Sequence, residues 1–103
     1  MLLTKNPRES IQELGNQFGG LRIDEIYSFI VLAEELHFSN APSRLFVSTG
    51  GLSRRVANLE RILASTLLTR TTRNVELTLT GHRFARLGQI LLAELQQLAG
   101  EGT

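Results

Sequence analysis

A chain of 103 residues with no cysteine and a net charge of +1 holds one domain with a modest core, and it excludes a disulfide framework or a thiolate metal site. No apolar run approaches the ~20 residues of a membrane span, so no membrane partner is expected. The opening MLLTKNPRES has no long apolar stretch after a basic one, so no secretory signal is expected and the cytoplasm is the expected location.

Residues 1–20 read as a polar extension. They are either disordered or carry one short helix at RESIQEL (8–14), which Gly15 and the Gly19-Gly20 pair break. A helix is predicted over about 23–36, with Ile23, Ile26, Phe29, Ile30 and Ala33 on its core face. The segment from Ala33 to Glu60 then has the layout of a helix-turn-helix. Ala41 and Leu45 lie one helical turn apart, Val47 sits in the connection, and Leu52, Val56, Leu59 and Leu63 recur at four, three and four residues. Ser48 stands where it caps the first free N–H groups of that second helix. The opposite face carries Ser53, Arg54 and Asn58, all hydrogen-bonding types. Residues 67–70 and 75–77 suit a two-stranded wing with 71–74 at its tip. A last helix is predicted over about 79–98, with Thr78 as its cap.

That last helix carries an apolar stripe, Phe84, Leu87, Leu91, Leu95 and Leu98, widened by Ala85, Ile90 and Leu92. At ~20 residues it is ~30 Å long, so much of this face projects beyond a small domain and is expected to find a partner helix. Gly88, within the stripe, would let two backbones approach.

The small net charge conceals an asymmetry. Residues 1–35 sum to −3 (Lys5, Arg8 and Arg22 against Glu9, Glu13, Asp24, Glu25, Glu34 and Glu35). Residues 44–86 sum to +6 (Arg44, Arg54, Arg55, Arg61, Arg70, Arg73, Arg83 and Arg86 against Glu60 and Glu76). Every base of the second block is arginine, the residue suited to bidentate phosphate and guanine contacts. The block coincides with the expected helix-turn-helix and wing.

In order and spacing, residues 21 to about 97 resemble the N-terminal DNA-binding domain of LysR-type transcriptional regulators. Leu21, Phe29 and AEELHF (33–38) are similar to the family's first helix and turn. Ala41, Leu45, Val47, Ser48, Leu52 and Ser53 fit its helix-turn-helix. LE (59–60), LLTR (67–70), VELT (75–78) and Gly81 resemble the stretch through its wing to its linker helix. The chain departs from the family where Thr49, Gly50 and Gly51 replace a usual Gln, Pro or Ser, and Ala, and where Ala64 replaces a usual Gly.

The resemblance implies a mainly α fold: a winged helix-turn-helix over 21–78, of three helices and a two-stranded wing, followed by a linker helix over 79–99. It implies double-stranded DNA as a partner, with the second helix of the motif in the major groove. Thr49, Ser53 and Arg54 would then face base edges, and Asn40, Arg44 and Ser48 would hold phosphates. Arg70 would brace the wing base, while Arg73 at its tip would reach the minor groove or its phosphates. It also implies an antiparallel homodimer through Phe84, Leu87, Leu91, Leu95 and Leu98. The family's effector-binding domain, and with it a small-molecule effector site, is expected to be absent from this chain.

Other chemistries find little support. His37 and His82 are far apart and lack the Cys or spaced carboxylates of a metal site. Ser48 and Ser53 have no nearby base. No enzyme, metal or cofactor is expected. The rival reading is a winged-helix dimerisation module that has lost base readout at Gly50-Gly51 and antagonises full-length relatives.

Overall fold

A computed structural model describes residues 7–35, 48–70 and 75–101. Within them lie four helices and a two-stranded antiparallel sheet: α1 (Pro7–Phe18), α2 (Ile23–Glu35), α3 (Thr49–Leu63), β1 (Leu68–Arg70), β2 (Val75–Leu77) and α4 (Leu79–Glu101). The first helix of the expected helix-turn-helix, with Asn40, Ala41, Arg44, Leu45 and Val47, lies outside the described residues, as do His37 and the wing tip with Arg73.

Helix α1 corrects the expectation of a break at Gly15. Pro7 opens it at the position where a missing N–H costs nothing, and it runs through Gly15 to Phe18. A mid-helix glycine costs about 1 kcal/mol relative to alanine but removes no hydrogen bond. Packing against α3 offsets that cost, and Ser10 is buried on α1.

Helix α2 is the centre of the molecule and packs against both α3 and α4. Ile26, Phe29, Ile30, Val31 and Leu32 are all buried, so this helix is covered around much of its circumference. Ile23, expected on the core face, is instead 51% exposed. It is the first residue of the helix, where no facing element covers it.

Helix α3 starts as its sequence predicts. Ser48 has extended backbone angles (φ −76°, ψ 160°), and its hydroxyl oxygen accepts from Gly51 N–H at 2.9 Å. Leu52, Val56, Leu59 and Ile62 face the core, while Leu63 is only partly buried against it. At the other end Ala64 adopts the left-handed conformation (φ 51°, ψ 41°), and its N–H and that of Ser65 close back on the carbonyls of Arg61 and Glu60. A non-glycine residue in this conformation is strained, at the position where the resemblance implies glycine.

The strands pair in the register Leu68↔Leu77, Thr69↔Glu76, Arg70↔Val75. Thr78 then caps α4, its hydroxyl accepting from Gly81 N–H at 2.9 Å and donating to the Thr66 carbonyl at 2.7 Å. Helix α4 presses onto the core through Gly81, Phe84, Ala85 and Gly88. The Phe84 ring meets Phe29 with centroids 5.7 Å apart at 58°. Gly88 faces its own α2: a Cβ there would stand 2.9 Å from Ile26 Cγ2 and 3.2 Å from Ile30 Cδ1. The close approach expected between subunits at Gly88 is therefore an intramolecular one.

Candidate nucleic-acid interface

The core contacts of α3 fix which of its polar side chains remain free. Thr49, Gly50 and Arg54 are exposed, and Ser53 is half-buried beside them. These four lie within the first turn and a half of α3 and form its outward face there. A Cβ placed at Gly50 would lie 3.5 Å from Arg54 Nη1, an ordinary van der Waals contact.

Two neighbours of this face turn the other way. Asn58, expected with Ser53 and Arg54, donates its side-chain amide to both carboxylate oxygens of Glu25, at 2.8 and 2.9 Å. Glu25 is buried at the start of α2, so Asn58 joins two helices and does not stand on the open face. Its carbonyl accepts from Arg61. Arg55 donates through Nη1 to Ser28 Oγ at 2.7 Å, and that hydroxyl donates in turn to the Asp24 carbonyl at 2.7 Å. Ser28 is fully buried. Arg55 is therefore spent on anchoring α3 to α2, whereas Arg54 points outward. A polar residue beside an apolar stripe faces whichever helix packs there, and no local signal in the sequence names that helix.

The wing is fastened to α3 by a further residue that sequence reasoning left without a role. Glu60 Oε2 accepts from Leu67 N–H at 2.8 Å and Leu68 N–H at 3.3 Å. A carboxylate on two backbone donors is a charge-assisted pair, and it sets the direction in which β1 leaves the helix. At the far end of β1, Arg70 Nη2 comes to 3.5 Å from Ser53 Oγ. That length is at the limit of a hydrogen bond, but it places this end of β1 directly beside the open face of α3. The structure thus brings Thr49, Ser53, Arg54 and Arg70 onto one side, with Ser48 at its edge.

An ion pair lies at the head of α2. Arg22 Nε and Nη2 donate to the two Asp24 oxygens at 3.0 and 3.1 Å. Hydrogen bonding to the Arg22 guanidinium holds the Asp24 carboxyl below the usual carboxylate range, and the same pair raises Arg22. Among the described residues no three His, Cys, Asp or Glu side chains gather as metal ligands. Nor is any described helix long and apolar enough to cross a membrane.

The stripe expected on the last helix divides. Phe84 is buried in its own core, a correction to its place among the partner-facing residues, because Phe29 occupies the space in front of it. Leu87, Leu91, Leu95 and Leu98 stay 61%, 41%, 42% and 60% exposed. From residue 93 onward every described residue of α4 is exposed.

Comparison with known proteins agrees with this architecture. Residues 23–82 match the model of the bacterial regulatory helix-turn-helix proteins of the lysR family. The chain is 45% identical over 64 residues to the HTH-type transcriptional regulator ShiR of Corynebacterium glutamicum (strain R), covering 62% of this chain and 22% of that regulator. It is 36% identical over 81 residues to the regulator TtuA of Agrobacterium vitis, covering 79% and 27%. The chain thus spans about a quarter of the length of the curated relatives it matches. Among solved structures, the DNA-binding domain of BenM, in complex with catB site 1 DNA, superposes with a TM-score of 0.76 at 30% identity, covering 80% of this chain and 91% of that one. The CbnR domain in its DNA complex gives 0.72 at 33%, covering 79% and 92%. The chain belongs to the lysR family of bacterial regulatory helix-turn-helix proteins.

Proposed function

We propose that this domain binds double-stranded DNA in a sequence-specific way, with α3 in the major groove and the wing at the adjacent minor groove or backbone, and so directs a transcriptional regulator to its sites. The observation that carries this reading is the selective freedom of α3. Its apolar side is locked in the core, Arg55 and Asn58 are bound to α2, and Thr49, Ser53 and Arg54 are left facing outward beside Arg70. The DNA complexes of the BenM and CbnR domains support it.

Each side chain then has a physical role. Arg54 offers two parallel donors to a guanine edge, and Thr49 and Ser53 offer single hydroxyls with less selectivity. The Ser48 hydroxyl oxygen is engaged as the cap of α3, which leaves its proton free to donate to a phosphate at the helix N-terminus, where the helix dipole favours an anion. Asn40 and Arg44 add phosphate contacts. Arg70 braces the wing, and Arg73 reaches the groove from its tip. The activity is binding and not catalysis, and it takes place in the cytoplasm.

Two copies pair through α4, burying Leu87, Leu91, Leu95 and Leu98 of each, so that two α3 helices address two half-sites. An electrophoretic titration against pooled genomic fragments tests the whole reading. Discrete fragments are expected to shift first, with a salt dependence that reports phosphate contacts. Uniform weak retention of all fragments would contradict specific readout.

A further inference from the structure

Helix α1 lies outside the segment matched by the family model, residues 23–82, yet it builds part of the surface along α4. A groove of about 390 Å³ is lined by Phe18 at the end of α1, Leu63 and Ser65 at the end of α3, and Thr80, Arg83, Phe84 and Leu87 of α4. Thr80, Phe84, Leu87, Leu91, Leu95 and Leu98 step by three or four residues, so the groove opens on the same side of α4 as the exposed leucines. The groove is thus a continuation of the stripe, deepened on one wall by an aromatic ring that α1 supplies.

The spacing of the stripe is symmetric. From Leu91 the next members lie four residues away at Leu87 and Leu95, then seven away at Phe84 and Leu98. An antiparallel copy centred on Leu91 places Leu87 against the partner's Leu95, and the position of Phe84 against the partner's Leu98. Phe84 itself is withdrawn into the core. What the partner's Leu98 meets there is a concave groove and not a protruding ring.

Charge selects the same orientation. Arg83 and Arg86 lie in the first half of α4, and Glu94 and Glu101 in the second. This order is opposed to the helix macrodipole, which favours acids early and bases late, so it does not serve the isolated helix. An antiparallel copy sets the basic half of each helix against the acidic half of the other, whereas a parallel copy sets like against like.

We infer that α1 is part of the subunit interface: Phe18 walls a groove beside Phe84 that receives Leu98 of a second copy of this chain. The inference rests on the α4 pairing proposed above and adds an element to it. The exposure of Leu98, 60% in the single chain, is relieved by this seat. Interface side chains that enter a walled pocket contribute more than those on a flat rim.

The absence of cysteine in the chain allows a direct test. In one variant Phe18→Cys is combined with Leu98→Cys; in a second, Leu91→Cys alone reports the two-fold axis. Phe18 lines the groove beside Phe84, and position 98 is ~21 Å from position 84 along α4, far beyond disulfide reach, so a bond between positions 18 and 98 must join two chains. Mild oxidation is expected to convert both variants to covalent dimers on a denaturing, non-reducing gel. Sedimentation of Phe18→Ala, with helicity checked by circular dichroism, is expected to show a dimer dissociation constant raised about tenfold. If Leu91→Cys cross-links while the double variant does not, and Phe18→Ala leaves dimerisation unchanged, α1 has no part in the interface although α4 pairing stands. If Leu91→Cys also fails to cross-link, the pairing itself is wrong and this inference falls with it.

Discussion

The Asn58 side-chain amide holds both oxygens of the Glu25 carboxylate, at 2.8 and 2.9 Å, and so ties the candidate recognition helix to the centre of the core. Glu25 is only 8% exposed. Replacing Asn58 by alanine leaves a buried acid without its donor, and losing a hydrogen bond to a charged group costs about 1.5–3 kcal/mol. Urea denaturation of Asn58→Ala is expected to show a lower midpoint, with the unfolding free energy reduced by that amount. An unchanged midpoint would mean that the pair is replaced by water at no cost.

Ala64 makes the opposite prediction. Its left-handed backbone, φ 51°, costs an L-residue about 1–2 kcal/mol, while glycine in its place loses about 0.4–1 kcal/mol through the greater freedom of the unfolded chain. The first term is the larger. Ala64→Gly is therefore expected to stabilise the domain by about 0.5–1 kcal/mol, read as a higher thermal midpoint in calorimetry.

At Gly81 the close approach leaves no such choice. A Cβ there would lie 2.1 Å from the Leu67 carbonyl oxygen and 3.1 Å from its carbon, and that oxygen is already the acceptor for Thr78 N–H. Backbone on both sides cannot yield without parting α4 from the wing. Gly81→Ala is expected to cost about 3 kcal/mol, at the upper end of overpacking substitutions. Wild-type stability in the same denaturation experiment would show that the wing moves freely against α4.

Much of this arrangement was legible in the chain because period and cap act locally. Leu52, Val56 and Leu59 fall on the predicted core stripe of α3, Ser48 caps it, and Thr78 caps α4. The remainder depends on partners distant in sequence. Asn58 and Arg55 look like members of a solvated face until Glu25 and Ser28, 33 and 27 residues away, turn them inward. Phe84 joins the leucines in any count of helical spacing, yet α4 carries two adjoining stripes: Phe84, Ala85 and Gly88 face α2, and Leu87, Leu91 and Leu95 do not. Periodicity fuses two stripes that packing separates. Gly15 fails as a breaker for a related reason, since a propensity cost of about 1 kcal/mol is outweighed by tertiary contact.

Arg54 tests the DNA reading. Its guanidinium is exposed on the open face of α3 while Arg55 beside it is bound to buried Ser28. Arg54→Ala is expected to cost about 1–3 kcal/mol in binding and to relax preference at one base pair, whereas Arg73→Ala is expected to weaken all sequences alike or to shift an A·T preference through groove width. Selection from randomised duplexes reads both effects. If Arg54→Ala kept the wild-type preference and affinity, α3 would not be the reading helix in the proposed orientation.

The assembly carries the last prediction. Leu91 and Leu95 are 41% and 42% exposed in the single chain, and full burial of a leucine gains about 1.5–3 kcal/mol. Neither belongs to the core cluster that holds α4 to α2, whose last member along α4 is the partly buried Leu92. Aspartate at both positions therefore removes the reason to pair without removing the reason to fold, and it sets four like charges together near the two-fold axis of the proposed dimer. Leu91→Asp with Leu95→Asp is expected to sediment as a folded monomer at concentrations where the wild type is a dimer. Its affinity for a two-half-site operator should fall to nearly that for a single half-site, because the second contact loses its effective concentration. A wild type that stays monomeric at high concentration would mean that the leucine stripe has another occupant, and that one copy of α3 acts alone.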